Sequence, residues 1–116
     1  MARIDKVIQV VRGKAGTAFA ADGAPVAVAV GSGGSIFPAG TTEALGILIV
    51  NAKRGPYGTA VVAGDRVDVL RIGEIVEFGG TAGDAIYAGA AGALATSGTV
   101  PIGHVMDGGN RLVVTM

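Results

Sequence analysis

"AGDRVDVLRIGEIVEF", residues 63–78, is the stretch on which the reading of this chain turns. Arg66–Ile72 and Glu74–Phe78 each have the length and composition of a β-strand, and Gly73 stands between them. The pattern predicts two strands with hardly a turn between them. A second "AGD", residues 82–84, soon follows in "TAGDAIYAGAAGALATSGTVPIGHV" (residues 81–105). In each phrase Gly can take a positive φ and Asp can bond its own backbone just before a strand begins. The repetition therefore reads as hairpin chemistry. The two units are too dissimilar and too close together for a solenoid array.

Working outward, short apolar segments recur along the chain, each bounded by Gly, Asp or Pro. They are "RIDKVIQVVR" (3–12), "VAVAV" (26–30), "IFP" (36–38), "GILIV" (46–50), "AVVAG" (60–64), "AIYAG" (85–89), "ALAT" (93–96), "VPIGHVM" (100–106) and "RLVVT" (111–115). Pro38 suggests an edge position for its segment. "TTEAL" (41–45) could form one helical turn. No stretch holds a 3.6-residue period for the length of a core helix. The expectation is an all-β, small single-domain barrel or sandwich with an extended N-terminal arm. Residues 1–25 form the arm and link, and residues 26–116 the β body. Expected core positions are Val28, Val30, Ile47, Ile49, Val67, Val69, Ile75, Ile86, Leu94, Ile102, Val105 and Val113.

Composition agrees. Of 116 residues, 50% are hydrophobic and 4% aromatic, and 21 are Gly. Small side chains and tight turns suit short strands around a thin core. The glycines follow no three-residue period, which excludes collagen, and high apolar content at zero net charge argues against disorder. Zero net charge also argues against a nucleic-acid partner. The charge is uneven: Arg3, Lys6, Arg12 and Lys14 face only Asp5 in the first 14 residues, a net of +3. There is no Cys, so no disulfide is possible. The N-terminal stretch carries charges inside its apolar run and is not a signal peptide. The longest apolar run, Ala44–Val50, is far short of the ~20 residues that span a bilayer. A chain this small and apolar has more apolar surface than it can bury alone, a hint of assembly.

The motifs that could carry chemistry fail on inspection. In "VAVAVGSGGSIF" (26–37), Gly31 and Gly33 fit a dinucleotide turn. Ile36 occupies the third Gly position, and Phe37-Pro38 forbids the helix that must follow. "RGKAG" (12–16) lacks the Ser or Thr and the earlier Gly of a phosphate loop. One His, His104, and no Cys cannot make a zinc site within one chain. Asp65/Asp68 and Glu74/Glu77 lie three apart and so point to opposite faces of a strand, a poor acid–base geometry. Ser32, Ser35 and Ser97 sit in Gly-rich turns without a nucleophile-elbow pattern. No enzyme activity, cofactor or metal is expected.

Two resemblances remain. The Gly- and Val-rich rhythm resembles small β carrier domains of the biotinyl and lipoyl type, with Lys53 in "NAKRG" (51–55) as the nearest imitation of their modified lysine. It lacks the flanking Met or Asp, so this is the alternative. The stronger resemblance runs over roughly the last 75 residues. The pieces Gly73–Phe78, Ala82–Tyr87, Gly92–Thr96, Pro101–Val105 and Leu112–Thr115, with "TTEALGILIVNA" (41–52) before them, resemble the capsid cement or head decoration proteins of tailed bacteriophages. That resemblance implies a non-enzymatic structural virion protein, often trimeric. It would sit on the outer capsid surface, be made in the host cytoplasm, and bridge neighbouring subunits of the major capsid protein. It implies no cofactor, nucleic acid or membrane.

The N-terminal segment is the candidate contact region. A terminal strand that is apolar on both faces needs a partner edge. Pairing with a neighbouring subunit or the shell would bury Ile4, Ile8 and Val10 and bring Arg3, Lys6, Arg12 and Lys14 to carboxylates. The expectation is an arm that is mobile in the isolated protein.

Overall fold

Residues 63–78 hold one long strand instead of two. The computed structural model describes residues 2–50 and 60–116. Among them run nine strands: β1 (Arg3–Lys14), β2 (Val26–Val30), β3 (Ile36–Pro38), β4 (Gly46–Leu48), β5 (Arg66–Val76), β6 (Ala85–Ala88), β7 (Leu94–Ala95), β8 (Pro101–Met106) and β9 (Arg111–Thr115). Gly73 does not turn the chain. It lies opposite Val7 of β1, where a Cβ would fall on the Lys6 carbonyl. The missing side chain lets β1 lie close while β5 continues past it.

Both "AGD" phrases form turns that start a strand, but neither is the hairpin expected: β6 does not pair with β5, and Val61 before the first turn pairs with Phe19. Gly64 has φ +98, the Asp65 N–H donates to the Val62 carbonyl (3.1 Å), and Asp65 Oδ2 accepts from the Val62 N–H (3.0 Å). Gly83 has φ +88, and the Asp84 N–H donates to the Thr81 carbonyl (3.1 Å). Each turn also clasps one residue of a neighbouring strand. Ala15 accepts from the Gly64 N–H and donates to the Asp65 carbonyl, both at 2.8 Å. Val105 accepts from the Gly83 N–H and donates to the Asp84 carbonyl, both at 2.9 Å. The phrase starts a strand and fixes the partner's position in one device.

All the strand pairings are antiparallel, in the order β3-β2-β4-β5-β9-β8-β6-β7, with β1 also on β5. The sheet curls strongly. Beyond β1 the chain meets β3: Ala15 bridges Ile36, and the Gly16 N–H donates to the Ile36 carbonyl at 2.8 Å. β1, β5, β4, β2 and β3 thus curl into a small barrel. Its inside is an apolar cluster containing Ala15, Val28, Ile36, Leu48, Val67 and Val69, plugged by Phe19 and Val61. Phe19 and Val61 bond each other's backbones at 2.9 Å in both directions. A second cluster lies between the barrel and the sheet of β6, β8 and β9. It contains Ala27, Ala29, Ile47 and Leu70 from the barrel, and Ile75, Ile86, Ile102, Val105, Leu112 and Val114. β2 therefore buries both faces, Val28 to one cluster and Ala27 and Ala29 to the other. This explains why "VAVAV" alternates in size instead of polarity.

A three-strand unit occurs twice. β2 is flanked by β3 and β4, and β6 by β7 and β8. Val30 pairs with Ile36 as Ala88 pairs with Leu94, and Val28 pairs with Gly46 as Ile86 pairs with Gly103. The linking loops, Gly31–Ser35 and Gly89–Ala93, share one backbone path. In each, the first N–H donates to the last carbonyl, at 2.8 and 2.7 Å, and positive φ falls at the third and fourth residues. Those are Gly33 (+68) and Gly34 (+78) in one loop, and Ala91 (+54) and Gly92 (+81) in the other. Ala91 holds a left-handed conformation that costs an L-residue roughly 1–2 kcal/mol. Replacing it by Gly relieves this, offset by about 0.4–1 kcal/mol of added unfolded-state entropy. A net gain of about 0.5–1 kcal/mol in chemical denaturation is expected for Ala91→Gly, and a loss would show that the loop does not hold this φ.

The structure revises several expectations. "TTEAL" makes bends and extended chain, with no helical turn. "AVVAG" contributes only the Val61 bridge. Pro38 sits in β3, at the end of the strand order, as its residue type suggests. Most expected core residues are buried. Val30 instead is 50% exposed at the loop end of β2. Ile49 and Leu94 are only partly buried. In β9, Leu112 and Val114 are buried, while the expected Val113 faces outward and is half-buried. Three consecutive apolar residues give no alternation to choose a face by. The extended N-terminal segment is present over Arg3–Lys14, and its partner edge lies in its own chain rather than a neighbour's.

Candidate interaction surface

β1 is paired along its whole length yet poorly covered. Its register with β5 runs from Arg3 opposite Val76 to Lys14 opposite Arg66. From Val10 to Lys14 the pairing is regular. Before Val10 it is interrupted three times, between Ile4 and Lys6, between Val7 and Gln9, and between Gln9 and Val10. Asp5 and Ile8 are the residues left without a Cα partner. Such bulges twist an edge strand and re-aim its side chains. The result is an apolar group in water: Ile8 is 62% exposed, Val7 55% and Val10 42%. Beyond the bridge at Ala15, no other described strand pairs with β1, so most of its outer edge is open. Open edges of this kind are the usual templates for strand addition.

Three of the four basic residues of β1 meet carboxylates inside the chain. Arg3 pairs with Glu77, and Arg12 holds both oxygens of Asp68 at 2.8 and 3.3 Å. Lys6 lies 3.8 Å from Glu74. Lys14 is exposed, opposite Arg66. At the centre of this surface is Arg111 of β9. It donates to Asp107 (3.0 Å), Asp5 (3.1 Å) and Glu74 (2.8 Å), and so ties the β8–β9 turn, β1 and β5 together. Hydrogen bonds to Asp5 and then Asp107 raise its pKa above the ordinary range. Desolvation opposes them, and Glu74 adds to the rise.

Of the expected contact residues, Ile8 and Val10 stand on the exposed apolar patch. Ile4 is half-buried against the second cluster, opposite Ile75. Arg3, Lys6 and Arg12 are engaged within the chain. Sequence reasoning missed Val7, which strict alternation puts on the opposite face, and the charge network centred on Arg111. The only local signal for that network was the Asp107–Arg111 spacing across a Gly-Gly turn. His104 is exposed on β8 between Ala85 and Val113. Among the described residues no group of three His, Cys, Asp or Glu is placed to hold a metal ion. Lys53 lies outside the described residues.

No protein-family model matches the chain, and no curated protein matches it. Among solved structures, a chain from Mycobacterium phage Patience has the same fold. The TM-score is 0.78, and the alignment covers 98% of this chain and 95% of that one at 18% sequence identity. A likeness over nearly the whole of both chains means that barrel, second sheet and β1 recur together in a phage-derived protein.

Proposed function

We propose that this chain is a structural virion protein of a tailed bacteriophage. It decorates the outer capsid surface and stabilises the shell by bridging neighbouring subunits of the major capsid protein, as a homo-oligomer for which a trimer is favoured. The observation that supports this best is the near end-to-end likeness to the chain from Mycobacterium phage Patience. The open edge and exposed side chains of β1 supply a contact surface of the expected kind. On this reading no cofactor is needed and no reaction is catalysed.

The test is binding to expanded, undecorated capsids, followed by cosedimentation and cryo-EM. Saturable occupancy at repeated lattice positions is expected. No binding at micromolar protein would reject the role. Ile8→Asp and Val10→Asp bear on the surface itself. Both positions are exposed, so each change should alter stability by no more than about 0.5 kcal/mol. Occupancy should fall at least tenfold, because a charge replaces the apolar contact. Undiminished occupancy in both variants would move the contact away from β1. The carrier alternative predicts a covalent mass increase on Lys53 in protein isolated from its host, which intact-mass measurement reads directly.

A further inference from the structure

The two halves of β1 differ in register and in how many surface ion pairs hold them: three lie in residues 3–9, and Arg12 with Asp68 lies in residues 10–14. Residues 10–14 sit in regular register on β5, and the chain then closes the barrel at Ala15. Residues 3–9 contain or border every irregularity in the ladder. Few of their side chains are buried: Ile4 reaches the second cluster, as does the adjoining Ala2, whereas Val7 and Ile8 lie mostly in water. Three ion pairs hold this half across its length: Arg3 with Glu77, Asp5 with Arg111, and Lys6 with Glu74. The side chains on β1 in these pairs are 40 to 58% exposed, within reach of dissolved ions. Surface pairs lose strength once the screening length falls from about 10 Å at 0.1 M salt to about 3 Å at 1 M.

We propose that residues 2–9 form a strap, fastened by surface ion pairs, that opens about the register shift at Gln9–Val10 while the barrel stays closed. Opening releases the strap and bares the Ile72–Val76 edge of β5, so one step exposes two strand edges. Arg111 is the main fastening, since among the described residues it alone links Asp5 to both β5 and the β8–β9 turn. The barrel depends less on such pairs: Arg12 with Asp68 adds one, but closure is backbone bonding over a buried apolar interior. This inference does not rest on the virion reading and is tested on isolated protein.

Hydrogen exchange read by mass spectrometry separates the two halves. Between 0.02 and 1 M NaCl, the peptide covering residues 2–9 should lose protection about tenfold, the loss expected when several exposed pairs are screened together. The peptide covering residues 10–16 should keep its protection, which controls for any effect of salt on intrinsic exchange. In Arg111→Gln at 0.02 M NaCl, residues 2–9 should already exchange at the faster rate and respond little to salt. Equal protection of the two peptides at both salt concentrations overturns the proposal, as does a loss in residues 10–16 that matches the loss in 2–9. If Arg111→Gln does not fold, Lys6→Gln and the salt comparison on the unaltered protein decide the matter.

Discussion

Ile75→Ala is expected to lower the unfolding free energy by about 2–5 kcal/mol, the range for emptying a buried Ile site. Ile75 is 0% exposed and stands in the middle of a row that crosses four strands. Ile4 lies opposite it on β1, Leu112 opposite it on β9, and Val105 opposite Leu112 on β8. Truncation removes one of the apolar contacts between the barrel's long strand and the second sheet. β5 is held from both sides there, by β1 and β9, so the backbone cannot collapse into the space. The upper half of the range is therefore expected. A domain of this size has about 5–15 kcal/mol in total, so the variant should melt well below the parent. Urea denaturation with an unchanged m-value is the measurement. A loss under about 0.5 kcal/mol, the size of an ordinary surface change, would mean that the row does not exist.

Gly103→Ala should also be strongly destabilising, for the opposite reason. A Cβ at Gly103 would land on the Val113 carbonyl, with the Val114 Cα 3.2 Å away. These are backbone atoms of the paired strand and cannot rotate aside. β8 must move off β9 or lose its ladder, and β6 and β7 join the rest of the sheet only through β8. Overpacking typically costs about 1–3 kcal/mol, and a clash with a ladder carbonyl belongs at the upper end. Gly46 supplies an internal check. It occupies the equivalent position of the first three-strand unit, and its Cβ would meet the Leu70 carbonyl of β5. Gly46→Ala should destabilise by a similar amount. Gly40→Ala, where nothing lies within 4 Å, should stay within about 0.5 kcal/mol of the parent. Equal Tm values for Gly103→Ala and Gly40→Ala would contradict the close approach of β8 and β9.

The sequence alone determined that this is a β protein, where most strands lie, and that the two "AGD" phrases turn the chain before a strand, though not that they join no hairpin. Those properties are local. Alternation, a positive-φ Gly and an Asp that bonds its own backbone act within three or four residues, so they are legible without a partner. Tertiary structure decided the rest, because it depends on which segments meet. Gly73 could have been a turn or a close approach, and only β1 lying across it selects the second. β1 was legible as a strand in need of an edge, but its composition is silent on whose edge. β5 fulfils the need, and Asp68, Glu74 and Glu77 bring charge from 56 to 74 residues away to Arg12, Lys6 and Arg3 respectively. The bulges at Asp5 and Ile8 belong to the pairing of β1 with β5, along which Val7, Ile8 and Val10 all stand in water. The kinship of GSGGS and GAAGA lies in backbone angles and hydrogen bonds, which two loops with different side chains do not display in sequence.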